Sequence, residues 1–221
     1  MITFKDRKDA GERLAEVLTD LRDENCFVAA IPRGGVVVGY YIAERFGWPL
    51  EVVVPRKIGA PYQPELAVGA VAEDGTIYVE EEVARAVGVG MDWVKATAEK
   101  ELEEVKRRIK LYRGGAELPK LDEYIVIVVD DGVATGATMI ATVRFLKKLR
   151  SRKVIIAIPV APPEVLPKLK AEADEVRCLE TPVPFYAIGQ FYMNFAQVSD
   201  VEVMDYLSRS RRLLSPEHDQ S

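Results

Sequence analysis

Ile125–Thr138 reads IVIVVDDGVATGAT. Its first five residues, Ile125–Val129, form an unbroken run of β-branched side chains, the composition of a strand buried on both faces. Asp130 and Asp131 stand where that strand would end. A small-residue loop follows, Gly132–Thr138, and then Met139, Val143, Leu146 and Leu149 recur at helical spacing. Such an order of strand, acidic pair, small-residue turn and helix start makes an anion cradle. Small residues let backbone N–H groups converge, and the opening helix adds the positive end of its dipole. Thr135 and Thr138 add hydroxyl donors. The carboxylates cannot bind that anion themselves. They suit sugar hydroxyls, or a divalent cation reached through water, although two acids alone could also cap the next element.

A Walker-type phosphate loop is excluded, because it needs a lysine after its last glycine and Ala137 follows Gly136. The string instead resembles the ribose-phosphate signature of the type I phosphoribosyltransferases: four or five hydrophobic residues, two acids, then a Thr-Gly-rich phosphate loop. The resemblance implies that Asp130 and Asp131 hold the ribose 2- and 3-hydroxyls of 5-phosphoribosyl-1-pyrophosphate (PRPP). The same two acids would meet Mg²⁺ through PRPP or water. Ala134, Thr135, Gly136, Ala137 and Thr138 would wrap the 5-phosphate. Purine-using members usually carry an Asp just before the Thr-Gly, where it serves as a base; this chain has Ala134, as uracil-type enzymes do. That departure points away from side-chain proton removal in the loop, and from a purine towards a pyrimidine-like or other small base.

Two cationic stretches upstream fit the same picture. Cys26–Ile31 is a short apolar strand ending in Pro32-Arg33-Gly34-Gly35, ahead of a small apolar helix, Val36–Phe46. Val36 in the place of a second glycine rules out a dinucleotide fingerprint, and a plain tight turn is the local alternative. Under the resemblance, Arg33, Gly34 and Gly35 are the loop that receives pyrophosphate. Leu50–Val54 reads as a second buried strand with Arg56 and Lys57 at its carboxyl end, where open α/β sheets place their ligands. Arg56 and Lys57 would neutralise the departing pyrophosphate, with Lys57 joining Asp130 and Asp131 as the catalytic set. Pro61 and Pro64 exclude regular structure for Ile58–Leu66, which is the candidate for the family's mobile loop.

The remaining pattern alternates. Asp6 or Asp9 caps a first helix, and Val68–Ala72 with Thr76–Val79 reads as a hairpin. Helices follow at Glu80–Val87 and Asp92–Tyr112, the second a charged, solvated one. Val154–Val160 and Glu175–Leu179 are strands flanking a helix near Glu164–Ala171. The fold expected is a single α/β domain over 1–221, a parallel sheet flanked by helices, with its core at about 6–180. Thr181–Phe195 would add a small aromatic-rich hood, followed by a helix from Asp200 to about Arg211 and a tail at 212–221. Phe185, Tyr186, Gln190, Tyr192 and Asn194 are the candidate acceptor pocket there; a core plug or dimer contact is the alternative.

Composition narrows the function. The chain has 221 residues, 48% hydrophobic and 29% charged, and a net charge of -5, which gives no support for nucleic-acid binding. Its one histidine, His218, sits in the polar tail, so histidine triads, bases and zinc sites are excluded within one chain. Cys26 and Cys178 are too few for a disulfide framework. Neither a membrane span nor a signal peptide is expected, and the protein reads as cytoplasmic. The resemblance therefore implies a Mg²⁺-dependent phosphoribosyltransferase acting on PRPP and a small-molecule acceptor, as a homodimer. A PRPP-binding regulator without transferase activity is the alternative.

Overall fold

The central strand forms where the apolar run demands it. In a computed structural model that describes residues 3–215, β6 (Ile125–Val129) is buried at every residue. It lies in the middle of a five-stranded sheet of order β2-β1-β6-β7-β8, with β1 at Cys26–Ala30, β2 at Leu50–Val52, β7 at Lys153–Val160 and β8 at Glu175–Glu180. Every neighbouring pair is parallel, as expected. Successive side chains of a strand point to opposite faces. Ile125, Ile127 and Val129 therefore join one core, with Leu14, Val38 and Leu207 from α1 (Arg7–Glu16), α2 (Gly34–Phe46) and α7 (Asp200–Leu214). Val126 and Val128 join the other, with Ile140, Leu146 and Leu169 from α5 (Ala137–Lys148) and α6 (Leu166–Glu172). Each fully buried aliphatic side chain contributes about 1.5–3 kcal/mol of transfer free energy.

Connectivity places the site. From β1 the chain crosses through α2 to β2 on one side, while from β6 it crosses through α5 to β7 on the other. Strand order thus reverses between β1 and β6, and open α/β sheets bind ligands in the crevice at that reversal. Asp130 and the loop after Ala30 both open onto it.

A second, antiparallel sheet of order β3-β4-β5 is formed by β3 (Arg56–Ala60), β4 (Gln63–Val71) and β5 (Ile77–Val79). It packs on α5 and on α4 (Met91–Arg113), and α3 (Glu81–Val87) follows it. This corrects the irregular loop expected over Ile58–Leu66. Pro61 falls at the turn, and Pro64 falls in a bulge between the Ala60–Gln63 and Gly59–Ala67 pairs, where no ladder N–H is required. Arg56 and Lys57 likewise open β3 and do not end β2.

The segment after β8 folds back over the amino-terminal chain. Phe4 N–H donates to the Phe191 carbonyl at 2.9 Å, and Met193 N–H to the Phe4 carbonyl at 2.9 Å. Phe4, Ala10, Val160, Phe191 and Tyr192 form a small core beneath it. Helix α7 starts in a capping box, Ser199 with Glu202, and continues to Leu214, so Arg212–Leu214 are helix and not tail. Residues 216–221, which hold His218 and the rest of the expected tail, lie outside the described residues.

Candidate functional site

Asp130 and Asp131 emerge side by side from the carboxyl end of β6. The backbone turns so that Asp131 N–H donates to Asp130 Oδ1 at 2.8 Å. Asp131 is 9% exposed, and Asp130 is partly open to the crevice. Burial pushes Asp130 well above the usual carboxylate range, and the charge of Asp131 beside it pushes the same way. Asp131 is also raised by burial, but the Arg7 guanidinium pulls it back. Two crowded carboxylates with free lone pairs favour hydrogen-bond donors or a cation as their ligand. Among the described residues no group of three or more His, Cys, Asp or Glu could cage a metal. A metal at this pair would therefore take most of its ligands from substrate and water, the habit of Mg²⁺.

The loop beyond the pair closes an anion cradle. Gly136 adopts φ 89°, a left-handed conformation that favours glycine, and caps α5. Donors in the first turn of a helix have no intrahelical acceptor, and at α5 they face this loop. Thr135 Oγ1 accepts from Ala137 N–H at 3.5 Å. Residues 134–138 line a hollow of about 280 Å³ together with Asp130, Asp131, Lys57, Glu65 and Ile188.

A second hollow of about 370 Å³ opens on the other side of the same two acids, lined by Arg33, Gly34, Arg7 and Phe195. Here the glycines of the Pro32–Gly35 loop are demanded by close approach. A Cβ on Gly34 would stand 1.8 Å from Asp131 Oδ2, and one on Gly35 2.8 Å from the Val129 carbonyl oxygen. Arg33 Nη1 lies 3.9 Å from Asp200 Oδ1 at the start of α7, and the same Asp200 oxygen accepts from Tyr112 of α4. The acidic pair thus lines both hollows, one formed with the 134–138 loop and one that also holds Arg7 and Arg33.

Not every expected residue gathers here. Lys57 lines the first hollow and pairs with Glu65 at 2.9 Å across the β3–β4 hairpin. Its neighbour Arg56 lines neither hollow, because adjacent strand residues face opposite ways. It turns to α4, where its Nε donates to Glu101 Oε2 at 2.8 Å. The aromatic acceptor pocket is not assembled either. Tyr192 is buried and donates its hydroxyl to the Asp131 carbonyl at 2.6 Å. Phe185 packs on Phe191 with ring centroids 5.0 Å apart, and Tyr186 points to solvent, 84% exposed. Gln190 is committed to the local turn, its Oε1 accepting from Tyr186 and Ala187 N–H; Asn194 Oδ1 accepts from Ala196 N–H. The side chain that this segment contributes to the first hollow is Ile188, packed against Gly132. Pairing of the hood with the chain at Phe4 buries Phe191 and Tyr192, and no local pattern signals that.

Arg7 is the residue that sequence reading missed. Its Nε donates to Asp131 Oδ2 at 2.7 Å from the first position of α1. A lone arginine 124 residues away from its partner leaves no signal in the sequence.

Comparison with known proteins agrees with this fold. The family model of the phosphoribosyl transferase domain matches residues 4–195. Two Mycobacterium tuberculosis proteins, "Putative phosphoribosyl transferase MT0597" of strain CDC 1551 and "Putative phosphoribosyl transferase Rv0571c" of strain H37Rv, are each 41% identical over 212 residues. Those residues are 96% of this chain and 48% of the relatives, so the chain spans about half the length of the curated relatives it matches. The crystal structure of TT1426 from Thermus thermophilus is 38% identical, with a TM-score of 0.78, covering 94% of this chain and 99% of that one. The chain belongs to the phosphoribosyl transferase domain family.

Proposed function

We propose that the protein transfers the 5-phosphoribosyl group of PRPP to a small nitrogenous acceptor and releases pyrophosphate. The observation that carries this reading is the acidic pair lining two hollows at once, one formed by the 134–138 loop at the start of α5 and one holding Arg33 and Gly34. PRPP has that order of groups: a phosphate, a ribose with two hydroxyls, and a pyrophosphate. Residues 134–138 hold the 5-phosphate, Asp130 and Asp131 accept from the ribose hydroxyls, and Arg33 with the Gly34–Gly35 backbone takes the pyrophosphate. Lys57 stands beside the acids as a further cation, free to exchange its exposed partner Glu65 for phosphate oxygens.

In the transfer, the bond from the anomeric carbon to pyrophosphate breaks, and its electron pair leaves with the pyrophosphate oxygen. The acceptor nitrogen forms the new bond from the opposite face, with inversion, and its proton passes to water or to the departing pyrophosphate. Positioning and charge neutralisation supply the rate, since the chain's one histidine is His218 and the loop from Gly132 to Thr138 carries no carboxylate to act as a base. Asp130 and Asp131 would hold Mg²⁺ through PRPP or water, and the ion would supply positive charge for the leaving group. Ala134 offers no proton acceptor, which favours a pyrimidine-like or other small base over a purine. A cytoplasmic homodimer completes the reading on family grounds; no helix among the described residues is long and apolar enough to cross a membrane.

Calorimetry with PRPP and Mg²⁺, then a pyrophosphate-release assay over purines, pyrimidines and small amines, tests this. Binding with release for one acceptor is expected. Absence of PRPP binding would sink the assignment of Asp130–Thr138.

A further inference from the structure

Three segments far apart in sequence converge on Asp131 and its partner Arg7. Arg7 Nε, from α1, donates to Asp131 Oδ2 at 2.7 Å, and both side chains are largely buried, 11% and 13% exposed. The other arm of the guanidinium, Nη1, donates to the Ala196 carbonyl at 2.8 Å. Its plane covers the Phe195 ring, with the central carbon 3.9 Å from the centroid. From the backbone side, Tyr192 of the same segment donates to the Asp131 carbonyl at 2.6 Å. Gly34 passes close to the pair, since a Cβ there would fall 1.8 Å from Asp131 Oδ2 and 2.7 Å from Arg7 Nε.

We propose that Arg7, itself held by the Phe195 ring and the Ala196 carbonyl, is a positioning residue that fixes the Asp131 carboxylate for ribose. That role rests on Asp131 holding a ribose hydroxyl. A carboxylate has two oxygens, and the bond from Arg7 to Oδ2 fixes the rotation of the group and with it the direction in which the remaining lone pairs meet a sugar. Guanidinium suits the task better than ammonium, because its planar fork reaches a carboxylate and a carbonyl together while stacking on a ring. Arg7 also shares the second hollow with Arg33, but its donors towards Asp131 and Ala196 are already used.

The test compares two probes by calorimetry. Inorganic phosphate has no sugar to orient, and in either hollow it draws on donors other than Arg7 Nε and Nη1, which Asp131 and Ala196 already hold; ribose 5-phosphate needs the 134–138 cradle and an oriented Asp131. Arg7→Met is expected to weaken ribose 5-phosphate at least tenfold and leave phosphate within twofold of wild type. Unchanged ribose 5-phosphate affinity would overturn the role. Equal weakening of both probes would also overturn it, because that is what general loosening of the fold produces. Should Arg7→Met fail to fold, Arg7→Lys carries the test. It keeps the charge but loses the second arm, and a several-fold loss on ribose 5-phosphate alone is expected; equal effects on the two probes, or none, would refute it. A wild-type protein that binds phosphate but not ribose 5-phosphate would remove the sugar-binding reading itself, and is distinguishable because no variant is involved.

Discussion

Gly34→Ala is the most exacting perturbation of this site, because the structure fixes where the added atom must go. The new Cβ would sit 1.8 Å from Asp131 Oδ2, 2.5 Å from its Cγ and 2.7 Å from Arg7 Nε. An ordinary van der Waals contact is about 3.5 Å or more, so the carboxylate must retreat by more than an ångström. That displacement breaks the 2.7 Å bond to Arg7. Overpacking of this kind costs about 1–3 kcal/mol, and a damaged buried ion pair adds to it. At roughly 2–4 °C per kcal/mol for a chain of this size, the melting temperature should fall by about 2–12 °C. Loss of one charge-assisted hydrogen bond to the ligand, about 1.5–3 kcal/mol, should weaken ribose 5-phosphate by about tenfold or more. Gly90→Ala is the control: nothing lies within 4 Å of its Cβ position, and its φ of -97° is open to any residue. Its effect should stay near 0.5 kcal/mol. The assays are thermal unfolding by circular dichroism and titration calorimetry. If Gly34→Ala melts and binds like the control, the loop does not press on Asp131 and the geometry is refuted.

Other expectations follow from the same contacts. Asp130→Asn should lose PRPP binding yet leave the ligand-free protein as stable as wild type or more so, since burial and Asp131 oppose its charge. A raised folded pKa means that the folded state binds more protons, so the Asp130 contribution to stability falls as pH rises above about 3.9. Urea unfolding should show the variant gaining on wild type between pH 4 and neutrality, and a pH-independent difference would contradict the assignment. Lys57→Ala should weaken PRPP at least tenfold, whereas Arg56→Ala, which breaks only the contact with Glu101, should stay within about twofold; the reverse order would show that β3 presents its other face. Tyr192→Phe removes the hydrogen bond to the Asp131 carbonyl and should cost about 0.5–1.5 kcal/mol in denaturant unfolding. No loss there would mean that water replaces the hydroxyl.

Local chemistry determined much of this protein without any long-range contact. The apolar run Ile125–Val129 can only be a buried strand in company with others, and the small residues from Gly132 to Thr138 permit the turn and exposed N–H groups an anion needs. The Pro32–Gly35 loop was legible for the same reason, because glycine pairs mark places where backbone must come close. The second sheet was only half legible: the Val68–Val79 hairpin followed from two short apolar runs joined by Glu73-Asp74-Gly75, while Pro61 and Pro64 hid the pairing of β3 with the start of β4, since a bulge that tolerates proline is defined by its partner strand. Which way Arg56 and Lys57 face was settled by the register of that strand. Between an acceptor pocket and a core plug the hood's sequence left the choice open, because the burial of Phe191 and Tyr192 beside Phe4, from the other end of the chain, has no local period. Arg7 lies furthest from prediction. A single cation gains meaning only when folding brings it to a buried carboxylate, so its role belongs to the tertiary structure alone.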